Sequence, residues 1–279
     1  MMIFLPPPTV SAKDAFELCI SRIRNADLAE RAGKAVADIV AADSAFRARV
    51  QAGQAQLVKT PTTVGPGKLT KDEMVAMYDD RMVDPDAPGR PVYQAIFDSA
   101  EWCPMCGHRD VVEVDHYLPK AHYIDLVTSP LNLVPACSVC NKRKKDRLAT
   151  AQDEIFLHPY FEDIHADPWL AGSIPNEKRR AVVFSVQPCP SWSPSLLNRV
   201  RHQFKELGLA ELFAAQAADE LSGIADDMAF ELNRGGPDAV KQVLARRAAS
   251  YRSHRPNTWK AVAYASWARS DWFQAGGFL

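Results

Sequence analysis

Two Cys-x-x-Cys pairs, Cys103/Cys106 and Cys137/Cys140, constrain this chain more than any other feature. Six cysteines in 279 residues are too few for a disulfide scaffold. The opening M-M-I-F-L-P-P-P stops at proline before it could form the apolar core of a secretory leader. The longest uncharged apolar runs fall far short of the ~18–20 residues that cross a bilayer. A reducing cytoplasm away from membranes is therefore the expected setting, and there such spacings indicate metal before disulfide. Four thiolates from two knuckles complete a tetrahedral shell around Zn²⁺, which leaves no position for substrate and makes the site structural. Thirty residues separate Cys106 from Cys137, more than the ~15–20 of a simple ribbon. The zinc is thus expected to clamp the base of a substantial excursion. A segment of roughly 70 residues buries too little apolar surface to hold a geometry alone, whereas structural zinc contributes ~10 kcal/mol or more.

The excursion and its exit carry the residues of a second site. Asp115, His116 and Asn132 lie between the pairs, and Asn141 follows Cys140 directly. Carboxylate and amide oxygens from Asp115 and Asn141 suit a hard cation such as Mg²⁺ or Mn²⁺, and two protein ligands leave room for water and phosphate oxygens. A neutral imidazole with an unperturbed pKa near ~6.5 can take a proton from water beside such a cation. The chemistry this set suits is phosphodiester hydrolysis. Asn132 is placed where its side-chain carbonyl could hold the far ring nitrogen of His116. One requirement follows from strand geometry: adjacent residues point to opposite faces, so the strand D-V-V-E-V-D-H must end or twist for Asp115 and His116 to converge. Pro119 is expected to end it.

Around the motif the chain divides by pattern into 1–95, 96–165 and 166–279. Ser11 to Leu57 is Ala-rich with apolar residues at helical spacing, and Thr70-Lys-Asp-Glu73 forms a capping-box signature. Val92 to Ser99 is expected to be helical, and Arg180 to Val186 a strand. The last ninety residues are expected to be mainly helical: Ser193 to Leu207, Leu209 to Asn233, Asp238 to His254 and Asn257 to Trp272. Trp259, Trp267 and Trp272 with Phe273 at near-helical spacing indicate a terminal core, and His158 in H-P-Y-F indicates chain packing back on the middle region.

The net charge of −1 conceals an uneven distribution. Lys142, Arg143, Lys144 and Lys145 follow Asn141, with a further group at Lys178-Arg179-Arg180, offset by Asp79, Asp80, Asp84 and Asp86. Lys120, Lys142, Arg143, Lys144 and Lys145 are candidates for phosphate contact. Lys144 lies three residues after Asn141 and shares its helix face.

The combination C-P-M-C, D-H, N-L and C-S-V-C-N-K-R-K resembles the HNH endonucleases over 103–148, about one-sixth of the chain. The resemblance implies an α+β fold with mainly helical flanks around a central ββα-metal (HNH, His-Me finger) core and a structural zinc knuckle pair. It also implies His116 as general base, Asp115 and Asn141 as ligands of the catalytic cation, Asn132 orienting His116, and the four cysteines on zinc. Asn at 141, where other members have His, favours Mg²⁺ or Mn²⁺. Stand-alone proteins of this type resemble those encoded beside ATPases in bacterial antiphage systems such as Septu, which suggests DNA as substrate and a partner ATPase. The competing readings are a sequence-specific restriction or homing nuclease, and a non-catalytic zinc ribbon that has no use for Asp115, His116, Asn132 and Asn141. Oligomeric state is not legible.

Overall fold

The computed structural model describes residues 2–174 and 181–279, so the basic group Lys178-Arg179-Arg180 lies outside the described residues. The chain forms two compact units, Met2–Asp163 and Ile164–Leu279. The fold is α+β, as expected. Among the described residues no helix is long and apolar enough to cross a membrane.

The first unit opens with α1 (Ala12–Ile20) and α2 (Ala26–Gln51). Ser11 and Asn25 cap them through their side chains, accepting from Asp14 N and Leu28 N. Helix α3 (Lys71–Tyr78) starts at the anticipated capping box, with Thr70 and Glu73 making both reciprocal bonds. It runs into a π-helical turn, Asp79–Val83, before α4 (Arg90–Phe97). The motif region follows as β1 (Glu113–His116), β2 (Leu133–Ala136) and α5 (Ser138–Lys144). Strands β1 and β2 pair antiparallel, with Asp115 opposite Val134 and His116 opposite Leu133.

This two-stranded ribbon is too small to persist alone, and the helices supply what it lacks. Alternation along β2 sends Leu133 into a core with Phe16, Ile39, Leu69 and Met74, and Val134 into a second core with Phe46, Val50, Tyr117 and Tyr160. Every residue of β2 is therefore buried. At roughly 1.5–3 kcal/mol for each large apolar side chain buried, packing against α1 to α3 adds to whatever a metal contributes to the ribbon. The free edge of β1 is also closed. Tyr78 Oη donates to the Val114 carbonyl at 3.2 Å, and Val114 N donates to Tyr93 Oη at 3.3 Å. Two phenols thus satisfy a backbone pair that an unpartnered edge would leave open.

The second unit contains the hairpin β3 (Leu170–Ser173) and β4 (Val183–Val186), then α6 (Pro194–Glu206), α7 (Leu209–His254) and α8 (Trp259–Trp267). Helix α7 is a helical hairpin. Arg247 lies 3.6 Å from Asp227, whereas twenty residues of straight helix would separate them by ~30 Å. The reversal falls at Gly235 and Gly236, the latter at φ 70°, a conformation that favours glycine, with Pro237 starting the second arm. This is the break expected between Asn233 and Asp238. Trp267 and Phe273 stack at 5.6 Å and are fully buried, and Tyr264 packs on Trp267. The terminal aromatics are a core, with Trp259 and Trp272 half-buried at its margin.

Candidate active site

Cys103, Cys106, Cys137 and Cys140 are all buried, and their sulfurs lie within 4.8 Å of one another. Tetrahedral Zn–S bonds of ~2.3 Å put sulfurs about 3.8 Å apart, so the set fits one zinc ion. None of the six cysteines forms a disulfide. The first knuckle turns at Gly107, whose φ of 59° lets its N–H return to the Cys103 carbonyl at 2.7 Å. The second opens α5, with Cys140 N donating to Cys137 Sγ at 3.4 Å. Crowding splits the thiols, pulling Cys106 down and pushing Cys140 up as neighbouring thiols share protons. A dication that takes all four as thiolates removes that conflict.

A cleft of about 360 Å³ lies alongside, lined by Asp115, His116 and Asn141 together with Tyr78, Asp79, Lys120 and Asp146. Strand β1 ends at His116, which is how two adjacent side chains come to line one cavity. Asp115 is buried, and its Oδ2 faces the Lys144 ammonium at 3.2 Å. Burial pushes its carboxyl above the usual range, opposed by the nearby charge of Lys144. A buried carboxylate and the amide of Asn141, lining one cleft, make an all-oxygen donor set that fits a hard divalent cation.

The His116 ring is held by one hydrogen bond and one ring contact. Nε2 lies 2.8 Å from the Val127 carbonyl. A carbonyl only accepts, so Nε2 carries the proton and Nδ1 keeps its lone pair. Tyr78 packs edge-on against the ring at 4.4 Å. Burial drives the imidazole pKa down to about 3, so the ring is neutral at physiological pH.

That depression has a thermodynamic consequence with a definite sign. The unfolded imidazole titrates near ~6.5 and binds protons that the folded ring refuses. Its contribution to stability is therefore complete above pH 6.5 and is lost as pH falls toward 3, by about 1.4 kcal/mol per unit. Between pH 7 and pH 5, urea unfolding of the wild type is expected to lose about 2 kcal/mol more than that of His116→Phe. Parallel losses in the two proteins would contradict the burial of a neutral His116.

Two expectations from the sequence need correction. Asn132 does not hold the His116 ring. It is fully buried, and its Oδ1 accepts from Leu118 N at 2.7 Å while Nδ2 donates to Leu118 O at 3.1 Å and Leu126 O at 3.3 Å. The amide pins the loop 118–126 through backbone groups, and the ring goes instead to a carbonyl of that region. Lys144 is not a surface cation. It is buried, with Nζ 2.7 Å from His116 O, 3.4 Å from Tyr117 O and 3.2 Å from Asp115 Oδ2. Sharing a helix face with Asn141 turned it inward, because that face packs on the end of β1.

Of the other basic candidates, Lys142, Arg143 and Lys145 are exposed just beyond Asn141. Lys145 ends α5 at φ 58°, a costly conformation for a residue other than glycine. Lys120 lines the cleft but is paired with Asp79 at 2.6 Å and lies over the Tyr78 ring. His158 is fully buried, accepting from Tyr160 N at 3.2 Å and placing Nε2 2.9 Å from Leu131 O, which makes it a packing residue. The site residues that sequence reasoning missed are the Val127 carbonyl, Tyr78 and Asp79. A backbone oxygen has no residue-type signal, and the other two enter from a helix some 35 residues upstream.

The comparisons with known proteins fall on these same elements. The HNH endonuclease family matches at residues 103–147, from the first cysteine of the cluster to just past α5. "Protein ea31" of Escherichia phage lambda is 30% identical over 232 residues, covering 77% of this chain and 78% of the phage protein. No solved structure is a match. With the family match spanning the cysteine cluster and the Asp115–His116 cleft, and a relative aligned across three-quarters of both proteins, the chain belongs to the HNH endonuclease family.

Proposed function

We propose that this protein is a metal-dependent endonuclease that hydrolyses phosphodiester bonds in DNA, with His116 as general base. Asp115 and Asn141 hold Mg²⁺ or Mn²⁺, and the four cysteines hold Zn²⁺. The single observation that carries this reading is the Nε2–Val127 hydrogen bond, which leaves the Nδ1 lone pair on a neutral ring that lines one cleft with Asp115 and Asn141.

A divalent cation bound there supplies positive charge against the charge that develops on the phosphate. The protein's own groups do the rest. His116 Nδ1 takes a proton from water as the water oxygen bonds to phosphorus and one ester P–O bond breaks, its electron pair leaving with the departing oxygen. Val127 and Tyr78 fix the ring against rotation while it acts. Asn132 contributes at one remove, by holding the loop beside Val127. A base whose pKa sits near 3 is poorly matched to neutral pH. The negative charge of an entering phosphodiester corrects this, because it stabilises the imidazolium that burial penalises. Exposed Lys142, Arg143 and Lys145 serve backbone contact, which positions a duplex without reading its sequence.

The same reading extends to an effector of bacterial defence that acts in the cytoplasm and takes its target from a partner ATPase. Its support is the charge distribution: helical flanks in a chain of net charge −1 suit docking of a protein more than tracking of DNA. Incubation of the purified chain with Mg²⁺ or Mn²⁺ and several plasmids of unrelated sequence tests the activity. The expected result is nicking of all of them without discrete fragments. Discrete fragments would favour a sequence-specific restriction or homing enzyme, and intact plasmids under every condition would favour a non-catalytic zinc ribbon.

A further inference from the structure

Lys144 stands one helical turn after Asn141 and is tied to the residues that carry the site. Burying an ammonium is expensive unless its donors are taken, and here they go to the His116 and Tyr117 carbonyls at 2.7 and 3.4 Å. Those bonds fix its charge 3.2 Å from Asp115 Oδ2. The ammonium cannot swing to solvent without abandoning both carbonyls, so it stays beside Asp115 whatever else enters the cleft. At the level of direct contact the site is therefore close to neutral: one carboxylate is matched by one ammonium, with the amide of Asn141 alongside. Asp79 is matched in the same way by Lys120. Glu113 and Asp146 also line the cleft, but they are half-buried and exposed respectively, where solvent and salt screen them.

We propose that Lys144, by matching the charge of Asp115, makes the cleft a weak site for a divalent cation alone, so that cation and DNA phosphate bind cooperatively. The inference rests on the reading that Asp115 and Asn141 hold the catalytic cation. A dication approaching Asp115 meets a fixed positive charge close by and gains little from the protein. A phosphodiester supplies both the missing negative charge and further oxygen ligands, so each partner strengthens the other by the same factor. The arrangement limits hydrolysis to moments when DNA occupies the cleft, without any moving part.

The test is Mn²⁺ binding to the zinc-loaded full chain, followed by calorimetry and by the electron paramagnetic resonance of free Mn²⁺. The background is His116→Ala, so that an added DNA duplex stays intact. With Lys144 present, the duplex is expected to tighten Mn²⁺ binding at least tenfold. In Lys144→Met, binding without duplex is expected to be at least tenfold tighter than with Lys144, and the duplex to add less than threefold. Unchanged or weaker Mn²⁺ binding by Lys144→Met without duplex would overturn the proposal. Should Lys144→Met lose its zinc, Lys144→Gln, which keeps a donor without the charge, carries the same measurements and thresholds. Adding Asp115→Ala separates this inference from the reading beneath it. If Mn²⁺ affinity is indifferent to Asp115→Ala, the cation site itself is misassigned; if it collapses while Lys144→Met has no effect, only the role of Lys144 fails.

Discussion

Replacing His116 with alanine is expected to lower DNA nicking by about 10²- to 10⁴-fold, the range a positioned general base contributes, with zinc content and fold intact. The size of the effect follows from how completely the ring is committed. Nε2 is spent on Val127, Tyr78 closes one side, and no second imidazole lines the cleft among the described residues. His158, the other buried histidine of this unit, has its ring nitrogens engaged by Leu131 and Tyr160 and cannot substitute. The substitution removes a large side chain from a packed site and costs some stability, so nicking should be compared well below the unfolding temperature. Activity within threefold of wild type would remove His116 from the role of base.

The second large effect concerns the frame. Cys137→Ser is expected to release zinc and to unfold the ribbon, because structural zinc contributes ~10 kcal/mol or more against a total domain stability of about 5–15 kcal/mol. The consequence should be local. The Ile164–Leu279 unit has its own core of Trp169, Phe213, Tyr264, Trp267 and Phe273, all outside the cysteine region. Limited proteolysis is expected to cut within 103–147 while sparing the helices after 193, and much of the helical circular dichroism should survive. Nicking should vanish together with the zinc. A Cys137→Ser protein that keeps its protease resistance and its activity would show that apolar packing alone holds the ribbon.

What was legible in the sequence divides along physical lines. The four cysteines, the strand at Glu113–His116, the capping box at Thr70 and the break between the arms of α7 all rest on local chemistry or spacing, and each took the expected place. The strand Leu133–Ala136 escaped the reading of individual residues, because Pro135 argues against a strand and only pairing with β1 makes one there. Lys144 and Asn132 were given the wrong neighbours for a related reason. Spacing says which face of a helix a lysine shares, but not whether that face meets solvent or the end of a strand. An amide near a histidine in sequence has many backbone groups closer in space. Tyr78 and Val127, which hold the His116 ring, belong to tertiary packing alone.

On this reading one metal site holds the frame while a separate one serves hydrolysis. Native mass spectrometry of the zinc-loaded full chain in Mn²⁺ with a DNA duplex, on His116→Ala with and without Asp115→Ala, separates the two. One zinc is expected in both proteins, with a bound Mn²⁺ only where Asp115 is present. Loss of zinc on adding Asp115→Ala, or retention of Mn²⁺, would contradict two separate sites.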